Sequence, residues 1–336
     1  MGLGLSGLTR LRSEGPGLAL AFAAAGAAWA IDAATPAPMM LAALMIGLGL
    51  QPFIHPAFAP GVERASRFVL RLGVLLLGAR ITLGDIAGLG APVASMTVAA
   101  LVLAFAVGWW IARGLGLSAA RAVLSSGAVA ICGASATLAL AAALPKDERT
   151  DRDAVAVVAV ISIIGAIGMV AYPWLAHLAG LSDTAIGIYV GATLHEVAHV
   201  VGAGYAISDD AAATAATVKL LRIACMAPLV MLVAIWFRTE HEAGARPPLL
   251  PWFLIGFLAL AALSSLGVTP APVAQALGGA SKWALAAALA AIGMKTSIAR
   301  LAGAGPALLG AIVAQTLLLA GLVAWAMAVW PALRPG

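Results

Sequence analysis

The chain has 336 residues, of which 63% are hydrophobic and 10% are charged, and its mean hydropathy is +1.04. Soluble domains carry about 25% charged residues and fewer apolar ones, so the composition excludes a soluble globular protein. The formal net charge is +5, but the cations stand singly beside apolar segments, which argues against a nucleic-acid-binding protein.

Apolar runs separated by charged residues, prolines and glycines predict membrane-spanning helices along the whole chain. The predicted spans are 17–34, 38–50, 67–84, 91–112, 121–144, 153–178, 185–206, 212–237, 250–268, 277–299 and 304–331. Because one span takes about 20 residues, about eleven spans nearly exhaust the apolar residues. We therefore predict an all-α integral membrane protein of about eleven transmembrane helices, forming a single polytopic domain over residues 1–336.

The positions of the cations favour an amino terminus in the cytoplasm. This orientation follows the positive-inside rule, because it places most arginines at span ends on the inner side. The arginines concerned are Arg10, Arg12, Arg64, Arg67, Arg71, Arg113, Arg121, Arg238, Arg246 and Arg300. The exception is KDERTDRD, residues 146–153, whose three cations would lie outside together with four acids.

Two segments resemble each other and predict an internal repeat. Residues 77–90, LGARITLGDIAGLG, align without gaps with residues 292–305, IGMKTSIARLAGAG, so that Gly90 pairs with Gly305. The segments end the third and tenth predicted spans, and this odd separation gives them opposite orientations, as in transporters built from inverted repeats. Chance similarity in a Gly- and Ala-rich chain is the alternative.

The predicted span 185–206 contains His195, Glu196 and His199 inside an apolar run. Ionisable groups in a membrane are costly and need partners or a function. On a continuous helix His195 and His199 would share a face one turn apart, and Glu196 would pair with His199 at i+3. A purely structural hydrogen-bonded cluster between helices is the alternative.

The same residues spell H-E-x-x-H, in which two histidines bind zinc and the glutamate activates water. No Asp-containing third-ligand motif follows, since every Asp lies near a predicted span end. We therefore expect no metal, with an intramembrane zinc hydrolase as the alternative function. Gly191, Gly202 and Gly204 flank the motif and predict an interrupted or closely packed helix.

Lys219 and Arg222 share a face of the predicted span 212–237, about a third of the way into the membrane. They form a candidate anion clamp, with an interfacial basic pair at the lipid headgroups as the alternative. Pro228 follows on the same span and can break the helix, which would free carbonyl groups to line a cavity.

Gly133 interrupts the apolar run AVAICGASATLAL, in which Ser135 and Thr137 add hydroxyl groups. A helix break at Gly133 would expose a half-helix amino terminus, whose N–H groups and positive dipole suit an anion. A packing face of small residues is the alternative. Cys132 and Cys225 both lie in apolar runs, which predicts neither a disulfide nor a cysteine metal motif.

Five motifs together carry a family resemblance. They are GVLLLGARITLGDI at 73–86, ICGASA at 131–136, GATLHEVAHVVGAG at 191–204, VKLLRIACMAPLV at 218–230 and AIGMKTSIARL at 291–301. In this order, over nearly the whole chain, they resemble the YeiH-type family of bacterial membrane proteins named as sulfate exporters. Members usually have H-E-V-A-Q where this chain has HEVAH, so His199 is a departure.

The resemblance implies a multi-pass protein of the bacterial inner membrane, built from inverted repeats with discontinuous helices. Its implied function is secondary active transport of a small anion, such as sulfate or a related sulfur oxyanion or sulfonate, with no enzyme activity and no cofactor. A proton or sodium would be the coupling ion, and a homodimer is one compatible assembly. A non-transporting structural or sensor protein is a further alternative, which would bind no substrate.

Seven residues in these motifs form the candidate site. We assign anion binding to five of them and ion coupling to the other two. The coupling assignment rests on the two residue types, because histidine titrates near physiological pH and a buried glutamate holds its proton more readily. The anion-binding candidates are Cys132, Gly133, Ser135, Lys219 and Arg222, and the coupling candidates are His195 and Glu196.

Overall fold

The computed structural model describes residues 3–35, 37–145, 148–237, 251–296 and 303–334, and every regular element in these ranges is a helix. The main helices are α1 (Leu3–Ala34), α2 (Met39–Leu50), α3 (Ala59–Arg64), α4 (Leu70–Leu77), α5 (Leu83–Gly88), α6 (Gly90–Gly114), α7 (Ala119–Ala130), α8 (Ala134–Ala143), α9 (Glu148–Leu178), α10 (Asp183–Thr193), α11 (Val197–Tyr205), α12 (Asp209–Ala224), α13 (Met226–Trp236), α14 (Trp252–Ser265), α15 (Ala271–Lys295) and α16 (Pro306–Val329). The all-α prediction is confirmed for the described residues.

Within those ranges, six helical segments are long and apolar enough to cross a membrane. They are Ser13–Ala34, Gly90–Gly114, Arg149–Leu178, Asp209–Trp236, Ala271–Lys295 and Pro306–Val329. Shorter helices occupy the other predicted spans, and the spans 121–144 and 185–206 are each divided into two half-helices. The prediction of a helical membrane protein agrees with these segments, whereas the count of eleven spans stays a prediction.

The chain divides into two compact units. Unit 1 comprises Met1–Ile86, Val201–Ala206 and Trp252–Thr296, and unit 2 comprises Ala87–Val200, Ile207–Pro251 and Ser297–Gly336. Both units combine segments that are distant in sequence. The description of residues 1–336 as a single transporter domain concerns the functional unit and stays a prediction.

In unit 1, helix α15 packs against α1, α2 and α4. The backbones approach closely: a Cβ atom added to Gly293 would lie 2.5 Å from the carbonyl oxygen of Leu44, and one added to Gly47 would collide with Ala290. Small residues have this role in membranes, where close van der Waals packing drives helix association. The high Gly and Ala content therefore serves helix packing in this unit.

In unit 2, three helices begin at serine N-caps. The side chains of Ser118, Ser182 and Ser208 each accept a hydrogen bond from the backbone N–H three residues later, at 3.2, 3.3 and 3.1 Å. Such a cap satisfies an N–H group that has no acceptor within the helix, and it typically contributes about 1 kcal/mol. These caps fix the first residues of α7, α10 and α12, whose other ends form the candidate site.

The predicted repeat has a partial counterpart in the structure. Gly90 and Gly305, which the alignment pairs, both have positive φ angles, +72° and +80°, and each lies at the start of a long helix, α6 or α16. Residues 297–302 of the second copy lie outside the described residues, so the inverted repeat stays a prediction.

The predicted orientation of the chain also stays a prediction. Among the cations on which it rests, Arg238, Arg246 and Arg300 lie outside the described residues. The same holds for Lys146, at the start of the exceptional segment 146–153.

Candidate functional site

The predicted span 121–144 is broken at residues 131–133, which we call the first break. Helix α7 ends at Ala130, α8 begins at Ala134, and Gly133 between them has φ +50° and ψ −117°. Only glycine adopts this conformation without strain. The helix interruption predicted at Gly133 is therefore confirmed, and α8 starts with its amino terminus at this break.

The predicted span 185–206 is broken at residues 194–196, which we call the second break. Helix α10 ends at Thr193, Leu194 is extended with φ −65° and ψ 150°, and α11 begins at Val197. The interruption predicted from the flanking glycines is confirmed. The prediction that His195 and His199 share a helical face one turn apart is wrong, because His195 lies in the unwound residues and only His199 is on a helix.

The two breaks lie against each other within unit 2. A Cβ atom added to Gly133 would lie 2.9 Å from Cγ of Glu196, so the absence of a side chain at the first break leaves room for the carboxylate of the second. The Nζ atom of Lys219 donates to the carbonyl oxygens of Ile131 at 2.5 Å and Leu194 at 2.8 Å. One ammonium group therefore joins an unwound residue of each break.

Arg222 joins the same two half-helices through its guanidinium group. All three of its nitrogens donate to backbone carbonyl oxygens at 2.7–3.3 Å, and the acceptors are Val129, Ala130, Gly191, Ala192 and Leu194. The last carbonyls of a helix have no partner within it, and they carry the negative end of the helix dipole. Lys219 and Arg222 thus satisfy and neutralise the carboxyl ends of α7 and α10 together.

Close packing of α12 on α10 brings this pair to the breaks. A Cβ atom on Gly191 would lie 2.5 Å from the carbonyl oxygen of Ala215, and one on Gly187 would lie 2.8 Å from that of Ala211. Lys219 and Arg222 are 0% and 1% exposed, so they are buried inside the protein and are not interfacial anchors. Direct contact of the pair with an anion stays a prediction, since these contacts are with carbonyl groups.

Glu196 precedes α11, and its two carboxylate oxygens have different neighbours. Ser162 of α9 donates its hydroxyl to Oε1 at 2.6 Å, while Oε2 lies 3.6 Å from Nδ1 of His199. The predicted i+3 pairing of Glu196 with His199 is confirmed. The carboxylate lies at the amino end of α11, where the helix dipole favours negative charge.

The two histidines have few hydrogen-bond partners. His195 Nε2 lies 2.9 Å from the hydroxyl of Thr316, and within the described part of the chain neither ring nitrogen of His199 has a hydrogen-bond partner. Both side chains are fully buried. The ring of His199 is therefore placed to exchange a proton with Glu196, 3.6 Å away.

The geometry does not fit a zinc site built on H-E-x-x-H. That motif requires its histidines one turn apart on a continuous helix, and the second break separates them. No group of three or more His, Cys, Asp or Glu side chains suited to a metal occurs in the described residues. The zinc-hydrolase alternative therefore has no structural support here.

Cys132 and Ser135 lie at the first break but in different environments. Cys132 is buried, and its sulfur is within hydrogen-bonding reach of the Ser135 side chain and the Ala136 backbone N–H. Ser135 is exposed. Farther along the chain, α12 ends at Ala224 and α13 begins at Met226, but Cys225 between them keeps a helical conformation and its N–H donates to the carbonyl oxygen of Leu221. The break predicted at Pro228 is therefore only a one-residue irregularity in the helical segment Asp209–Trp236.

Two residues of the site were absent from the sequence prediction. Ser162 binds the carboxylate of Glu196, and Thr316 binds His195. Each is a hydroxyl residue inside an apolar span, the same signal that identified Ser135 and Thr137. Their partners lie 34 and 121 positions away in sequence, so only the folded chain identifies them.

Comparison with known proteins identifies a family and several relatives. The family model described as Conserved hypothetical protein 698 matches residues 16–312. The UPF0324 membrane protein TauZ of Paracoccus denitrificans is 41% identical over 314 residues, covering 92% of this chain and 93% of the relative. TauZ of Paracoccus pantotrophus is 41% identical with the same coverage, and a UPF0324 membrane protein of Rhizobium meliloti (strain 1021) is 39% identical, covering 92% and 91%. No solved structure matches.

Proposed function

The chain belongs to the Conserved hypothetical protein 698 family, the UPF0324 membrane proteins, and we propose that it is a secondary active transporter of a small anion. The family predicted from the sequence motifs is confirmed, and the chain is a multi-pass membrane protein of bacteria. In the proposed mechanism, the anion binds at the two breaks and reaches either side of the membrane by alternating access.

The main support for this proposal is that the two helix breaks contact each other inside unit 2. Irregular backbone at membrane depth is tolerated where it is buried in protein or lines a cavity. At these breaks α8 and α11 begin, and the first N–H groups of a helix have no acceptor within it. Two half-helix amino termini place positive dipole ends for an anion at the breaks, while in the present structure the N–H of Ser135 in α8 donates to the Cys132 carbonyl oxygen at 3.3 Å.

Glu196 gives this site a mechanism of coupling. Its carboxylate lies at the amino end of α11 and against the first break, and it would therefore repel a bound anion. Protonation removes that charge, so the anion binds best when Glu196 is neutral. Anion and proton then bind together, which couples the anion gradient to the proton gradient.

The histidines fit a proton route to this carboxylate. His199 Nδ1 lies 3.6 Å from Glu196 Oε2, and the His199 ring has no other polar partner in the described chain. Imidazole exchanges protons near neutral pH. In our proposal His199 passes the proton to Glu196, while His195 is oriented by Thr316.

The proposed substrate class is a small oxyanion, with sulfate and related sulfur oxyanions or sulfonates as the first candidates. Such anions present several oxygens, which suit converging N–H donors. Arg222 and Lys219 contribute positive charge to the same region while they are bonded to carbonyls. No enzymatic step is proposed.

Thermal stabilisation of the purified protein tests this proposal. A ligand that binds only the folded state raises its melting temperature. Sulfate, sulfite, thiosulfate, methanesulfonate and acetate would be compared with chloride at equal ionic strength, at pH 6 and pH 8. We expect at least one oxyanion or sulfonate to stabilise the protein above chloride, more strongly at pH 6.

Uptake of the stabilising anion into proteoliposomes is the second measurement. Protein-free liposomes provide the control for leakage. If no anion exceeds chloride in the melting experiment, and none enters proteoliposomes faster than control liposomes, the transporter proposal is wrong.

A further inference from the structure

The cluster of carbonyl groups at the two breaks has the chemistry of a cation site. In transporters with discontinuous helices, unwound carbonyls and the carboxyl ends of half-helices coordinate the coupling sodium. Here the carbonyl oxygens of Ile131 and Leu194 converge from the first and second break, at the carboxyl ends of α7 and α10. A sodium ion would find its preferred oxygen ligands at this position.

That position is already held by side chains of the protein. The Lys219 ammonium donates to both carbonyl oxygens, and the Arg222 guanidinium donates to Leu194 and to carbonyls of the preceding turns. We infer that Lys219, supported by Arg222, is a tethered cation that takes the place of a coupling sodium ion. The inference rests on the proposed transporter function and assigns its coupling as sodium-independent and proton-driven.

Charge and burial support this assignment. The guanidinium group of Arg222 is charged at neutral pH, so the carbonyl cluster contains a cation there. Both side chains are buried, and in the described residues neither makes an ion pair with an acid. A diffusing sodium ion would find the carbonyl oxygens of Ile131 and Leu194 already bonded to the Lys219 ammonium, and its own charge would be repelled by that group.

A fixed cation also changes the transport cycle. A bound sodium ion leaves in each cycle and takes its charge with it, whereas Lys219 and the guanidinium group of Arg222 stay attached to α12 while the helices rearrange. The positive potential for the anion is therefore permanent. The variable charge at the two breaks is then that of Glu196 and His199, whose side chains adjoin each other.

Chemical rescue of a lysine variant tests the inference without measuring transport. Lys219→Ala removes the ammonium and opens space beside the two carbonyls, whereas Lys219→Met removes the charge but keeps the space filled. Melting temperatures would be measured in NaCl, NH4Cl and choline chloride at equal ionic strength. We expect the melting temperature of Lys219→Ala to be about 2–4 °C higher in Na⁺ or NH4⁺ than in choline, and the increase to saturate with cation concentration.

The melting temperatures of the wild type and of Lys219→Met should each be the same in all three salts. Saturable stabilisation of the wild type by Na⁺ over choline would overturn the inference, as would a folded Lys219→Ala that shows no response to either cation. If Lys219→Ala does not fold, anion uptake by the wild type is measured with and without sodium, choline replacing sodium in the second medium. We expect proton-driven uptake in the sodium-free medium, and uptake that requires sodium refutes the inference. Absence of uptake in every medium would refute transport itself, which the melting experiment does not address.

Discussion

Gly133 allows the first break because it has no side chain. Its φ of +50° with ψ of −117° is strained for any residue with a Cβ atom, and that atom would lie 2.9 Å from Cγ of Glu196. One substitution at this position therefore tests both the backbone conformation and the contact between the two breaks.

We expect Gly133→Ala to destabilise the protein by about 1–3 kcal/mol from backbone strain alone. It should also weaken anion binding, because a changed backbone conformation at residue 133 moves the amino end of α8, where the anion is proposed to bind. Thermal denaturation in detergent and ligand-induced melting shifts measure the two effects separately.

Gly310→Ala provides the matched control. A Cβ atom at Gly310 meets nothing within 4 Å, so this variant should keep or slightly gain stability through helix propensity. Equal melting temperatures and equal anion affinities for the two variants would show that the first break tolerates a side chain.

The packing of α12 on α10 determines whether Lys219 and Arg222 reach the breaks. Gly191 lies at this contact, and a Cβ atom there would lie 2.5 Å from the carbonyl oxygen of Ala215 and 2.8 Å from Cβ of Val218. The nearest atom is a backbone oxygen, which no side-chain rotation can move. A side chain at residue 191 would therefore force α10 and α12 apart.

We expect Gly191→Ala to lower the melting temperature more than an ordinary surface change, because separation of α12 from α10 lengthens the Arg222 bonds to Gly191 and Ala192. Overpacking typically costs about 1–3 kcal/mol. Gly321→Ala, whose Cβ meets nothing within 4 Å, is the comparison. A melting temperature of Gly191→Ala at or above that of Gly321→Ala would contradict the role of this contact.

The helix breaks were predictable from the sequence, but the capping of their ends was not. Gly133 and the glycines around HEVAH mark interruptions in apolar runs, and the structure has breaks at both places. The spacing of Lys219 and Arg222 predicted a shared helix face about a third of the way into the membrane, and it left open whether the pair is buried or interfacial. Their acceptors lie 25 to 93 positions away, and no local pattern encodes which long-range partner a buried cation finds.

In unit 1, Glu63 links α3 to the end of α15. It forms ion pairs with Lys295 and, at 2.5 Å, with Arg67. Burial alone would raise the pKa of Glu63, but the two cations lower it below its ordinary value. A carboxylate with a lowered folded-state pKa stabilises the fold at pH values above its unfolded-state pKa, and this contribution disappears as the pH falls through the folded-state pKa.

We therefore expect Glu63→Gln to lower the melting temperature at neutral pH and to have less effect as the pH falls from about 5 to about 3. Glu14→Gln is the control, since its pair with Arg64 is longer, at 3.7 Å, and the change should have a smaller effect. A destabilisation by Glu63→Gln that is equal at neutral and acidic pH would exclude the ionised carboxylate as its source.

For the whole molecule, the proposed proton coupling at Glu196 implies a thermodynamic limit that can be measured. Symport of one proton with one monovalent anion, such as methanesulfonate, moves no net charge, so a gradient of one pH unit supports at most about tenfold accumulation of that anion. A divalent anion such as sulfate would need two protons for the same charge balance, so the limit is measured with the monovalent sulfonate. The tethered cations do not enter this balance, because they remain on the protein.

Glu196→Gln keeps the size of the side chain and an acceptor for the Ser162 hydroxyl, but it fixes the neutral form. In proteoliposomes with a one-unit pH gradient, we expect the wild type to approach the tenfold limit and Glu196→Gln to equilibrate the anion without accumulation. Anion exchange and anion binding should survive, with binding no longer dependent on pH.

Glu14→Gln, which changes an acid far from the breaks in sequence and in the other unit, should accumulate the anion like the wild type. If Glu196→Gln still accumulates the anion with the pH dependence of the wild type, the carboxylate carries no proton in the cycle. Its bond to Ser162 would then serve only to hold α9 against the second break.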